Sequence, residues 1–200
     1  MNIGAAMLSR RSFIAGSAAG AVWLRPHPLH AEAVMTDDGY YTEPWFLESF
    51  LELADDLAAA SAKNKRLAIM WELRGCPYCR ETHLVNFAKP EIADYIKARF
   101  EILQLNIVGS REVTDFDGEK LSEKMFARKY GVRSVPTFQF FSDKLTGLSD
   151  KAPREREVAR AQGYIEAKPF LDLFRFVADR DYEKGRVLHL PESGKRTRAE

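Results

Sequence analysis

The chain has 200 residues, 46% hydrophobic and 30% charged, with 30 basic and 29 acidic residues and a formal net charge of +1. That size and composition suit one globular domain with a real core plus non-globular ends. The even charge balance excludes the basic excess of a nucleic-acid binder. The only two cysteines, Cys76 and Cys79, lie too close together to staple a scaffold, which leaves redox or metal chemistry for the pair.

Residues 1–33 read as an export signal. Arg10 and Arg11 precede an apolar run from Phe13 to Leu24, and Ala31-Glu32-Ala33 offers a small-x-small cleavage site. The run is too short to cross a membrane. No other long apolar run follows, so the mature form is expected not to be membrane-embedded. Ser9-Arg10-Arg11-Ser12-Phe13-Ile14 resembles the twin-arginine motif, the other reading being a Sec signal with two adjacent arginines. The expected address is the bacterial periplasm, where a disulfide is chemically permitted.

Thr42 or Glu43 is expected to open a helix, with Pro44 in its first turn and Phe46, Phe50, Leu53 and Leu57 at helical spacing. A strand over 66–72 follows, then the turn Gly75-Cys76-Pro77-Tyr78-Cys79-Arg80 and a helix from about Cys79 to Lys89. Pro90 interrupts it, and Glu91 to Arg99 continues as a second helical piece. Phe100 to Ile107 alternates apolar and polar as a strand does. Gly109 to Gly118 reads as a polar loop, and Glu119 to Tyr130 as a helix capped by Gly131. Val135-Pro136-Thr137 leads into a strand at 138–141. After a turn-rich connection, 158–165 reads as the last strand and 169–178 as the last helix. The folded domain would span 34–179, and the charge-rich residues 180–200 read as a mobile tail. Strands alternating with helices predict an α/β fold: a mostly parallel sheet covered on both faces, with its last two strands antiparallel.

A Cys-x-x-Cys at a strand-to-helix junction is a dithiol that can open and close as a disulfide. Helix N-termini present free N–H groups and partial positive charge, which favour a thiolate. Arg74 and Arg80 add to that field and Glu81 opposes it. The metal-binding alternative rests on Cys76, Cys79 and His83, three ligands where a structural zinc site wants four. His83 reads instead as a helix-surface residue near the site, so no metal is assigned. Trp71 suits substrate contact or core packing.

The element order, with Cys-x-x-Cys after the first central strand and Val135-Pro136-Thr137 before the final hairpin, resembles the thioredoxin superfamily over residues 43 to 179. The resemblance implies a thioredoxin-like fold with a mixed central sheet flanked by helices on both faces. Within it, Asp117-Gly118-Glu119-Lys120-Leu121, Lys129-Tyr130-Gly131-Val132 and Gly163-Tyr164 resemble exported bacterial proteins of the sulfur-oxidation-associated SoxW/SoxS type. It implies a thiol–disulfide oxidoreductase without cofactor, Cys76 attacking and Cys79 resolving. Pro136 matches the family's cis-proline, which would turn the Val135 backbone toward an extended substrate segment. Pro77 and Tyr78 would border that segment.

Pro77-Tyr78 is the glutaredoxin-like dipeptide, but Phe140-Phe141-Ser142-Asp143 lacks the Gly-Gly with which glutaredoxins bind glutathione. The family's buried carboxylate, six residues before the first cysteine, is replaced by Met70. Glu72, two residues on and on the same strand face, either takes over proton transfer for Cys79 or is a solvated strand-end acid. The implied partners are a client carrying a disulfide or S-adduct, such as a Sox carrier protein or a cytochrome c maturation client, and a membrane electron donor of the CcdA/DsbD kind. Two alternatives stand beside this: a DsbA-like disulfide donor, and a thioredoxin-fold metal-binding module.

Overall fold

The structure, a computed structural model, describes Met1 and residues 33–190. The export-signal motif and residues 191–200 of the expected tail lie outside the described residues. A four-stranded sheet forms the centre, in the order β4 (Phe100–Asn106), β3 (Arg66–Glu72), β7 (Thr137–Phe141), β8 (Glu157–Gln162). β3 and β4 run parallel, while β7 is antiparallel to both β3 and β8. The sheet is therefore mixed, and the expectation of a mostly parallel one fails at β7. Helix–strand alternation reports which elements are buried on two faces, not the direction in which a strand enters the sheet.

β3 sits in the middle because all seven of its residues are buried. Its alternation splits the core in two. Leu67, Ile69 and Trp71 face one cluster with α1 (Leu53–Ala62) and α4 (Glu123–Lys129). Ala68 and Met70 face the other, with α3 (Pro90–Arg99), α5 (Ala167–Ala178) and Phe87. Helices thus cover both faces. Trp71 belongs to the core: it is fully buried, its indole N–H donates to Gln139, and its ring stacks on Phe126 at 5.7 Å.

The first helix begins at Leu53, not near Thr42. Residues 43–52 instead run as an irregular strap. The Leu47 N–H donates to the Ile102 carbonyl of edge strand β4, and Leu51 accepts from the Thr114 N–H. Those bonds use backbone groups that a helix would need, and they leave Phe50 98% exposed despite its helical spacing. Ahead of the strap, β1 (Val34–Met35) and β2 (Tyr41–Thr42) pair as a small hairpin. The expected polar loop at 109–118 contains β5 (Glu112–Thr114), which pairs with β6 (Lys120–Ser122) and shortens the following helix to 123–129.

Residues 180–190, read as the start of a tail, lie against the domain. Asp181–Lys184 form a 3-10 turn, Arg180 pairs with Asp143, and Leu188 and Leu190 pack half-buried on the second cluster.

Candidate active site

Gly75, at φ 73°, turns the chain out of β3 so that Cys76 N–H can donate to the Leu73 carbonyl. Helix α2 (Pro77–Glu81) starts at the next residue, with Pro77 in its first turn, where a missing N–H costs nothing. It runs on without a break as a π-helical stretch, Thr82–Phe87. Cys76 is the N-cap, and its sulfur accepts from the Cys79 N–H at 3.1 Å. Cys76 and Cys79 are joined as a disulfide with Cα atoms 5.3 Å apart. Cys76 is half-buried and Cys79 only 5% exposed, so Cys76 is the more accessible sulfur of the two.

The disulfide borders a cavity of about 430 Å³ lined also by Glu72, Arg74, Pro77, Arg80 and Tyr41. Arg74 and Arg80 are exposed, and their charge favours a thiolate on opening. Tyr78 lies outside this cavity, 49% exposed, and stacks on Tyr164 at 6.2 Å. Next to Tyr164, the Gly163 N–H donates to the Pro136 carbonyl at 2.7 Å. These two contacts bring the Val135–Pro136 segment beside the cysteine helix. Its peptide bond is cis; Pro136 is buried, and Val135 is half-buried against the first cluster.

Glu72 is not a solvated strand-end acid. It is 2% exposed on the Met70 face of β3, with Oε1 3.0 Å from His83 Nε2 and its other oxygen accepting from the Gln104 amide. His83 is not on the helix surface either: it is fully buried. Its Nδ1 lies 2.9 Å from Glu43 Oε1, so both ring nitrogens face carboxylates rather than the cysteines. Burial opposes a charged ring, but the bonds to Glu43 and Glu72 outweigh it and raise the His83 pKa. Glu43, expected only as a helix-opening residue, and Gln104 carry no site signal in the sequence, because their partners His83 and Glu72 lie far along the chain. The burial of His83 had a signal: Cys79, Thr82, His83, Asn86 and Phe87 share one helical face, and all five are buried.

Among the described residues no helix is long and apolar enough to cross a membrane. The sequence profile of the Thioredoxin-like domain matches residues 53–178. No curated sequence matches the chain significantly. Similar solved structures include a thioredoxin-fold protein from Helicobacter pylori, at 25% identity and TM-score 0.46 over 60% of this chain and 73% of that one. A thioredoxin from Thermus thermophilus aligns at 23% identity and TM-score 0.49, covering 68% and 90%. The oxidised C-terminal domain of Neisseria meningitidis DsbD aligns at 12% identity and TM-score 0.41, covering 65% and 97%. With its mixed sheet, its helix-capping cysteine pair closed as a disulfide and a family match across most of the folded region, the chain belongs to the thioredoxin-like domain family.

Proposed function

We propose that this chain is a periplasmic thiol–disulfide oxidoreductase that reduces a protein disulfide or a protein-bound sulfur adduct through Cys76 and Cys79. The observation that carries the reading is the asymmetry of the pair: Cys76 half-exposed at a helix N-cap, Cys79 buried behind it. In the reducing direction the Cys76 thiolate attacks the client disulfide and forms a mixed disulfide. Cys79 then attacks Cys76 and releases the reduced client. Glu72, buried on the cavity that Cys79 borders, accepts the Cys79 proton directly or through a bridging water. Val135 and Pro136 form the edge that receives an extended client segment, flanked by Pro77 and Tyr78.

The twin-arginine-like signal supports export, and the SoxW/SoxS resemblance supports a thiol-bearing carrier of sulfur oxidation as client. Electrons would then come across the membrane from a donor of the CcdA/DsbD kind. Equilibrating the protein with glutathione and dithiothreitol buffers tests the direction. A potential near about −270 mV supports the reductant, whereas one near about −120 mV identifies a disulfide donor and overturns the reading.

A further inference from the structure

His83 is the only buried histidine among the described residues, and it lies one turn beyond Cys79 on the same helical face. Its two nitrogens are matched to two carboxylates on opposite sides of the ring, Glu43 from the strap and Glu72 from β3. Both contacts are hydrogen bonds at once only if the trio holds one proton beyond that of a neutral imidazole. The extra proton sits on the ring, which then donates twice, or on one carboxyl, which then donates to the ring. Either way the trio carries a net charge of −1. Without the ring, two buried carboxylates remain with no counter-charge, and one takes up a proton instead.

The surroundings leave His83 that task. Tyr41 of β2 stacks on the ring at 6.2 Å, and Phe46 and Phe87 wall it at 5.7 and 5.5 Å. The Gln104 amide of β4 donates to the second Glu72 oxygen. Across the cavity Glu72 meets Cys79, Arg74 and Arg80, both arginines exposed to solvent. Glu43 borders a second cavity, of about 850 Å³, which shares Tyr40 and Arg74 with the first.

We infer that His83 is a positioning residue for the resolving step: held between Glu43 and Glu72, it keeps the Glu72 carboxylate charged and in place beside the cavity that Cys79 borders. The inference rests on the proton role proposed above for Glu72. In the step, the Cys79 S–H bond breaks and its proton passes to a Glu72 oxygen. The sulfur electron pair forms the bond to Cys76 Sγ. The bond from Cys76 Sγ to the client sulfur breaks, and its pair leaves on the client sulfur, which takes a proton from solvent. The cysteine pair loses two electrons, the client gains two, and Glu72 afterwards returns its proton to solvent.

The reduced full chain, mixed rapidly with dithiobis(nitrobenzoate), releases nitrothiobenzoate in two phases: attack by Cys76, then resolution by Cys79. In His83→Gln the first phase is expected to match wild type. The second should be slower by about tenfold near pH 6 and should converge on wild type near about pH 8.5, where a thiol ionises unaided. Glu72→Gln should slow the same phase, with no further loss in the double variant. A wild-type second phase in Glu72→Gln would overturn the Glu72 reading and this inference with it. A slow phase in Glu72→Gln but not in His83→Gln would overturn this inference alone. Should His83→Gln fail to fold, nitrogen NMR of the wild-type ring decides. A proton on Nε2 at neutral pH supports the inference; a bare Nε2 there places the proton on Glu72 and overturns it.

Discussion

His83 Nε2 lies 3.0 Å from Glu72 Oε1 inside the protein, one helical turn from the buried cysteine. Folding therefore gives this histidine a greater hold on its proton, against burial, because both ring nitrogens meet carboxylates. An unfolded histidine titrates near about 6.5. With the folded value above that, the stabilisation is fully present below about pH 6.5 and is lost as the pH rises through the folded value. Urea unfolding of the wild type with the disulfide intact should show this contribution as stability that declines from about pH 6.5 toward alkaline conditions. A wild-type stability that holds constant across that range would mean the ring contributes by packing alone.

How much of this was legible beforehand differs by element. β3 was plain because a continuous apolar run of strand length has one home, the centre of a sheet covered on both faces. The Cys76–Cys79 disulfide was plain because its spacing is local to four residues, whereas the cis bond at Pro136 followed from the family resemblance that Val135-Pro136-Thr137 carries. The strap at 43–52 was not: Phe46 and Phe50 have helical spacing, and only β4 and Thr114 of β5, distant in sequence, take the neighbouring Leu47 and Leu51 backbone groups away from a helix. His83 was half legible. Its place on the Cys79 face is written in the spacing, but its partners Glu43 and Glu72 lie 40 and 11 residues away and meet it only in the fold.

A second buried charge cluster ties the β5–β6 turn to the segment before β8. Arg156, 3% exposed, donates to Asp115 at 2.8 Å, to Asp117 at 2.8 Å and to the Tyr130 hydroxyl at 3.1 Å. Arg156→Met should cost about 3 kcal/mol in urea unfolding, the low end for breaking a buried pair, because Lys129 still reaches Asp115. Burial works against the Asp117 charge, but Lys129 and Arg156 outweigh it and hold its carboxyl below the usual range. Its share of stability is present above about pH 3.9 and is lost as the pH falls toward the folded value. The deficit of Arg156→Met should accordingly narrow below about pH 4. A deficit unchanged in acid would assign the loss to packing of the arginine stem.

Gly109 is required by a neighbour rather than by its own backbone. A methyl group there would overlap the Glu123 carboxylate, which is buried and accepts from the Asn106 N–H at 2.8 Å and from the Arg111 guanidinium at 2.6 Å. Gly109→Ala should displace that carboxylate and leave the Asn106 donor without its partner, at about 1–3 kcal/mol. Calorimetry should register the change as a melting point lower by several degrees. A melting point equal to wild type would show that Glu123 moves aside without loss.

Phe174 is the fully buried ring through which α5 grips the sheet. It meets Phe100 at 4.9 Å and Phe140 at 5.1 Å, both nearly perpendicular, and Phe138 and Phe170 at 5.8 and 5.0 Å. Removing it combines lost transfer energy with a cavity that rigid aromatic walls cannot close, so Phe174→Ala should cost about 3–5 kcal/mol. Phe174→Leu keeps most of the volume and loses the ring edges, and should cost nearer 1.5 kcal/mol, about the limit for volume-conserving swaps. Both are read from urea unfolding, with the Cys76 phase of thiol exchange as a check that the folded fraction keeps its site. Equal losses from alanine and leucine would mean that the edge-to-face geometry, not the filled volume, holds the helix on the sheet.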